Sequence, residues 1–165
     1  MTYVVAGALE HADNLGNRGV LTARGVQQRW LGWGAEHEEW NPSPFAPTEF
    51  IQLWLETAQP YSTLLAQPPT HYASHERFER WLRIVDSNAA SQDASVHVAR
   101  LNPSTRCMQY RFKPGRGGYI YVIEGDIQVN CEHMEKRDAA RVTGEGLVNI
   151  EPLQPTELLI VDVRI

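Results

Sequence analysis

Apolar and polar positions alternate along most of this chain with the two-residue period of a β-strand, in which successive side chains face opposite sides. Thr2 to Leu9 is rich in β-branched and small residues and predicts a first strand. Asp13-Asn14-Leu15-Gly16-Asn17 then supplies the Asn and Gly residues that tolerate positive φ, predicting a hairpin that returns through a strand from Gly19 to about Ala23, paired with the first. A short extended piece between Arg24 and Trp30 is interrupted at Gly32-Trp33-Gly34, after which a strand carrying His37 begins. Asn41-Pro42-Ser43-Pro44 and Pro47 predict a loop, because proline removes a backbone donor and pushes the preceding residue into extended conformations. Glu49 to Glu56 puts Ile51, Leu53 and Leu55 on one face and Phe50, Gln52 and Trp54 on the other. That pattern predicts a strand covered on both sides, and the bounding prolines and aromatic content favour it over a helix.

Residues 57–78 change character, with Pro60, Pro68 and Pro69 among polar residues, and predict a surface connection between two domains. From Trp81 the strand pattern resumes: Trp81–Val85, Ser95–Leu101, Arg106–Lys113, Tyr119–Glu124, Asp126–Asn130, a weaker piece at Ala139–Val142, Leu147–Glu151 and Glu157–Val163. Pro114-Gly115-Arg116-Gly117-Gly118 reads as a flexible loop, and Glu124-Gly125-Asp126 as a turn. Short strands at this spacing mean an all-β sandwich or barrel. The organisation expected is a domain over residues 1–60, a linker over 61–80 and a second domain over 81–165.

With 165 residues, 42% of them hydrophobic, the chain is long enough to bury a real core. A formal net charge of −5 argues against a direct, sequence-independent grip on nucleic acid, which needs clustered Lys and Arg. No apolar run approaches the roughly 20 residues that span a bilayer, and residues 1–20 lack the basic start and apolar core of a secretory signal, so the cytoplasm is the expected location. Cys107 and Cys131 are too few and too far apart for a zinc knuckle or a disulfide framework and read as reduced thiols.

Candidate chemistry gathers in Gly34-Ala35-Glu36-His37-Glu38-Glu39-Trp40-Asn41. On a strand, His37 and Glu39 face one side and Glu38 the other. An imidazole nitrogen with a carboxylate oxygen suits a borderline ion such as Fe, Mn, Ni, Cu or Zn, but two such groups alone bind weakly. Taken by itself, an isolated His-x-Glu pair is more often a surface or hydrogen-bonded pair. His71 and His75 stand at helical i, i+4 spacing, a metal-ligand spacing that in a solvated connection is more often polar covering. His97 and His133 stand alone in a second half that looks chemically silent, as hydrogen-bonded structural histidines do.

Three stretches carry a resemblance. The first is Thr2-Tyr3-Val4-Val5-Ala6-Gly7-Ala8-Leu9-Glu10-His11-Ala12-Asp13-Asn14-Leu15-Gly16-Asn17-Arg18-Gly19-Val20, and the second is His37-Glu38-Glu39-Trp40-Asn41-Pro42-Ser43-Pro44 with Phe50-Ile51-Gln52-Leu53-Trp54. Gln92-Asp93-Ala94-Ser95 and Tyr121 to Asn130 form the third. They resemble the pirin family of bicupins over nearly the whole chain, and Gly34-x2-His37-x3-Asn41 resembles the second cupin motif. The resemblance implies an all-β fold of two cupin double-stranded β-helix barrels, the first holding one metal, commonly iron, through three histidines and a glutamate. It also implies quercetin-dioxygenase activity or metal-dependent binding to transcription factors.

Carried onto this sequence, His37 and Glu39 match the last two ligands. The first two belong to a His-Pro-His segment that precedes the family's equivalent of Thr2, so the expectation is an incomplete N-terminal barrel beside a complete C-terminal one. Ala23-Arg24-Gly25 stands where the family usually has a Pro-Gly-Asp turn, and Trp33 and Glu36 replace smaller or basic residues.

Two readings follow. In one, half a metal site remains, a divalent ion (iron by family) is weakly held or absent, and the protein is a non-enzymatic or degenerate binding or regulatory module. In that case a homodimer covers the exposed edge of the first barrel. In the other, the site is completed by dimerisation or by further N-terminal residues, and the protein is a quercetin 2,3-dioxygenase-type oxidoreductase with Glu39 as ligand and base. His11 is a weak third ligand candidate. Trp30, Trp33, Trp40 and Trp54 also supply aromatic surface for a small planar ligand.

Overall fold

A computed structural model of the chain describes residues 1–14, 16–30, 34–55, 65–66, 68–86 and 93–165. Leu15, Gly32, Trp33, Glu56, Pro60 and Gln92, on which parts of the expectations above rest, lie outside them. The described elements are strands, with one 3-10 turn at Ser74–Arg77, and no helix among them is long and apolar enough to cross a membrane. The chain divides into two compact units, Met1–Ala73 and Ser74–Ile165.

In the first unit the strands are β1 (Thr2–Ala6), β2 (Ala8–Asp13), β3 (Arg18–Thr22), β4 (Gly25–Gln27), β5 (Arg29–Trp30), β6 (His37–Trp40), β7 (Glu49–Gln52), β8 (Leu65–Ala66) and β9 (Thr70–His71). The single strand expected over Thr2–Leu9 is two. Gly7, at φ +73°, turns a corner where a Cβ would meet the Pro47 carbonyl oxygen at 2.5 Å, a conformation open to glycine. Before the corner β1 joins the sheet β7-β1-β4-β9; after it β2 joins β3-β2-β6. The hairpin forms as expected, but β3 pairs with β2 and not with β1. The Asp13 carboxylate accepts from the Asn17 backbone and side-chain nitrogens at 2.9 and 2.8 Å and closes the turn.

Between β6 and β7, Asn41 replaces missing backbone pairing. Its carbonyl accepts from Ser43 N–H at 2.9 Å and its amide donates to the Ala46 carbonyl at 2.7 Å. The strand expected over Glu49–Glu56 is shorter, and it is not covered on both sides: Phe50 is 38% and Trp54 78% exposed. Only β1 flanks β7 in the described sheet. The described part of 61–80 is built into the units, since β9 pairs with β4 and Glu79 N–H bonds the Arg100 carbonyl at 2.8 Å.

The second unit carries β10 (Leu82–Val85), β11 (Ala94–Leu101), β12 (Met108–Arg111), β13 (Arg116–Glu124), β14 (Ile127–Val129), β15 (Glu132–Met134), β16 (Ala139–Val142), β17 (Leu147–Pro152) and β18 (Thr156–Arg164). They form the sheets β10-β11-β18-β13-β16 and β12-β17-β14-β15. Alternate residues of both sheets, among them Leu101, Tyr110, Ile120, Ile127, Ile150, Leu158 and Ile160, fill one apolar core. The sequence pattern misses β15 because Glu132 and His133 are exposed and only Met134 is buried. The loop expected at 114–118 is cut short, since Arg116-Gly117-Gly118 opens β13. Gly118 is needed there: an added Cβ would run into the Val161 carbonyl of the neighbouring β18.

Candidate functional site

β6 delivers the strand geometry expected of His37 and Glu39, and its pairing with β2 sets His11 opposite Glu39 and Asp13 opposite His37. Residues directly opposite in an antiparallel pair share a face, so His11, His37 and Glu39 look the same way. The His37 Nε2 stands 3.9 Å from Glu39 Oε1.

Glu39 is already engaged. Gln52 Nε2, from β7, donates to both carboxylate oxygens at 3.2 and 3.1 Å and also reaches Thr2 Oγ1 at 3.4 Å. Arg29, on β5, places Nη2 3.9 Å from Glu39 Oε1, with 12% of the arginine side chain and 15% of the glutamate exposed. The guanidinium is oriented by Gln27, whose Oε1 accepts from Nε at 3.2 Å and from Nη2 at 3.0 Å.

His11 is 4% exposed, and neither ring nitrogen has a hydrogen-bond partner among the described residues. Burial takes its pKa below the ordinary histidine value, the nearby Arg29 charge pushes the same way, and Glu39 opposes both. The neutral imidazole forms one wall of a cavity of about 370 Å³, with Gly19, Gln27, Pro68 and Pro69 among the others. Gly19 leaves room for the ring: a Cβ there would lie 3.0 Å from His11 Nε2.

The other sequence candidates are dispersed. His71 lies on β9, with Nδ1 3.5 Å from Thr22 Oγ1, and His75 lies in the 3-10 turn of the second unit, so they form no helical pair. Trp30 is buried, Trp54 is exposed and Trp40 donates to Glu10 Oε2 at 3.0 Å, so these three do not gather around one ligand. Cys107 and Cys131 are free and exposed.

The second unit is less silent than its sequence suggests. Tyr110 donates to Asp162 Oδ2 at 2.8 Å and stands 3.2 Å from His97 Nδ1, while Arg116 Nε bonds Asp162 Oδ1 at 2.5 Å. Burial, then the Asp162 hydrogen bond, hold the Tyr110 phenol well above its ordinary pKa. Burial lowers the His97 pKa. These groups come from four strands far apart in sequence, and no spacing rule could have joined them. His97 is the hydrogen-bonded structural histidine expected.

The two sheet-built units, the first with a histidine and a glutamate on one strand face, define a protein of the cupin class, all-β and built of double-stranded β-helix domains. A family model described as Pirin matches residues 1–55, and one described as the quercetinase C-terminal cupin domain matches residues 85–163. The chain belongs to the pirin family. It is 29% identical to a pirin-like protein of Caulobacter vibrioides over 98% of this chain and 72% of that one. It is 23% identical to a quercetin 2,3-dioxygenase of Escherichia coli over 99% of this chain and 71% of that one. The solved Escherichia coli pirin YhhW in complex with nickel(II) superposes with a TM-score of 0.87 at 22% identity, over 99% of this chain and 71% of that one.

The metal that the family implies does not fit the residues present. Among the described residues no three His, Cys, Asp or Glu side chains gather as a metal site. Two bonds of about 2.1 Å span at most about 4.2 Å, and a tetrahedral pair of donors stands about 3.4 Å apart. The 3.9 Å between His37 Nε2 and Glu39 Oε1 would open the angle at a shared ion to roughly 135°, wider than the tetrahedral one, unless a side chain moved. Gln52 takes one acceptor site on each Glu39 oxygen. Unit charges 4 Å apart near a protein surface interact by about 4 kcal/mol, so a divalent ion on Glu39 would meet at least a comparable repulsion from Arg29.

Proposed function

We propose that this chain is a non-enzymatic pirin-type binding or regulatory protein that acts in the cytoplasm and holds divalent metal weakly or not at all. The observation that carries this reading is the state of Glu39: its carboxylate is hydrogen-bonded by Gln52 on both oxygens and faced by Arg29. Each oxygen keeps a further acceptor site, so what disfavours a metal ion or a substrate proton there is the facing Arg29 charge together with the Gln52 amide. The free, exposed cysteines suit a reducing compartment.

Self-association through β7 belongs to this reading. The strand ends its sheet among the described strands, and Phe50 and Trp54 stand exposed beside it, which is the kind of edge that proteins cover.

Quercetin turnover tests the reading against its rival. Purified protein is loaded with iron(II) or nickel(II), dialysed, and supplied with quercetin in an oxygen electrode, with and without a chelator. No chelator-sensitive oxygen uptake is expected. Uptake that a chelator abolishes and that Glu39→Gln removes would establish the dioxygenase reading instead.

A further inference from the structure

We infer that Arg29 is the residue that decides the ionic specificity of this site: its guanidinium is a built-in counter-cation to Glu39, and it keeps a divalent ion from being shared by His37 and Glu39. The inference deepens the non-enzymatic reading and rests on it.

Three observations support it. The arginine is largely buried, as is the glutamate, so solvent does little to screen the pair. An ion bonded to Glu39 Oε1 at about 2.1 Å would lie no more than about 6 Å from Arg29 Nη2, given the 3.9 Å between Nη2 and Oε1. Arginine does not give up its proton in proteins, so no accessible pH removes the conflict. The head group is also held in place, because Gln27 Oε1 accepts from two of its nitrogens, and it cannot simply swing away without leaving those donors unpaired.

The carboxylate explains the other half. With Arg29 removed, Glu39 keeps the Gln52 amide and the charge of the Met1 ammonium but loses its guanidinium partner, and a largely buried carboxylate that loses a cation is disfavoured. A metal ion relieves that state. His37 sits close enough to become a second donor after a small side-chain movement. His11, opposite Glu39 in register and with both ring nitrogens unpartnered, is placed to be a third. The apolar substitution that clears the charge with least change of bulk is Arg29→Met.

Calorimetric titration with nickel(II) at neutral pH tests this, using the full chain as wild type, Arg29→Met, Arg29→Lys and the double variant Arg29→Met/His37→Ala. Arg29→Met is expected to bind nickel at least about tenfold more tightly than wild type, a gain well within the repulsion it removes. Arg29→Lys, which keeps the charge, is expected to stay near wild type, and the double variant to lose the gain. Should Arg29→Met not fold by circular dichroism, Arg29→Gln removes the charge while keeping a polar head for Gln27, and it is expected to give the same gain. An Arg29→Met protein that binds no better than wild type, or whose gain survives His37→Ala, overturns the inference.

Its failure is distinguishable from failure of the reading beneath it. A wild type that stays nearly metal-free while Arg29→Met gains nothing overturns only the role given to Arg29. A wild type that holds nickel tightly through His37, with chelator-sensitive turnover of quercetin, overturns both.

Discussion

The Tyr110 hydroxyl has one hydrogen, and at 2.8 Å from Asp162 Oδ2 it gives it to the carboxylate; the His97 Nδ1, 3.2 Å from the Tyr110 hydroxyl oxygen, is then the donor to that hydroxyl. The neutral imidazole meets that demand. Burial lowers the His97 pKa, the Asp162 and Asp86 charges raise it, and Arg83 lowers it. Because the native pKa lies below the unfolded value of about 6.5, the unfolded chain binds more protons on acidification. Stability of the second unit should therefore hold above about pH 6.5 and fall below it. Urea midpoints at pH 7.5 and pH 5.5 are expected to show the drop, and His97→Asn to shrink it; a drop of undiminished size in the variant would assign it to other groups. Tyr110→Phe removes a hydrogen bond to a charged group and is expected to cost roughly 1.5–3 kcal/mol, measured by urea unfolding at neutral pH. At this same scale the sequence was half legible. The two-residue period puts His37 and Glu39 on one face without any structure, but it cannot say that Arg29 and Gln52, from other strands, arrive beside Glu39.

Among the elements, glycines mark where strands change sheet or touch a neighbouring backbone. Gly118 lies against the Val161 carbonyl, where an added methyl has no flexible side chain to displace. Gly118→Ala is expected to destabilise the second unit by about 1–3 kcal/mol or more, the ordinary cost of overpacking, seen as a lower melting temperature. Unchanged melting would mean that β13 and β18 can separate freely. Strand existence was legible across most of the chain because alternation survives where one face is buried, as in β12 and β17, and continuous β-branched and aliphatic runs mark strands buried on both faces, as in β11 and β18. Pairing was less so. The break of Thr2–Leu9 into β1 and β2 depends on Gly7 meeting Pro47, a contact of residues 40 apart in sequence, and β15 buries too little to leave a pattern. The exposure of Phe50 and Trp54 depends on what packs over the face of β7, which no local pattern encodes.

At the scale of the whole chain, the units differ in what holds them. Among the described residues the second has a continuous core running through both of its sheets, whereas a buried cluster of the first joins Val4, Leu9 and Leu21. Apolar area removed from water is the main favourable term in folding, so the second unit is expected to outlast the first. Denaturant unfolding followed by circular dichroism should then show two transitions; one transition with every probe coincident would contradict independent units. The pirin resemblance was legible in the first fifty residues and in Tyr121–Asn130. The chemistry was not, because the family's motif names ligands, and the state of this site is set by the groups that surround them.

Glu39 is hydrogen-bonded by Gln52 and faced by Arg29, an arrangement that disfavours a resident metal ion. Metal content tests it directly: the protein is incubated with excess iron(II) or nickel(II), dialysed exhaustively, and analysed for metal per chain beside His37→Ala. The account expects well below one ion per chain and no difference between the two proteins. About one ion per wild-type chain, lost in His37→Ala, would contradict it.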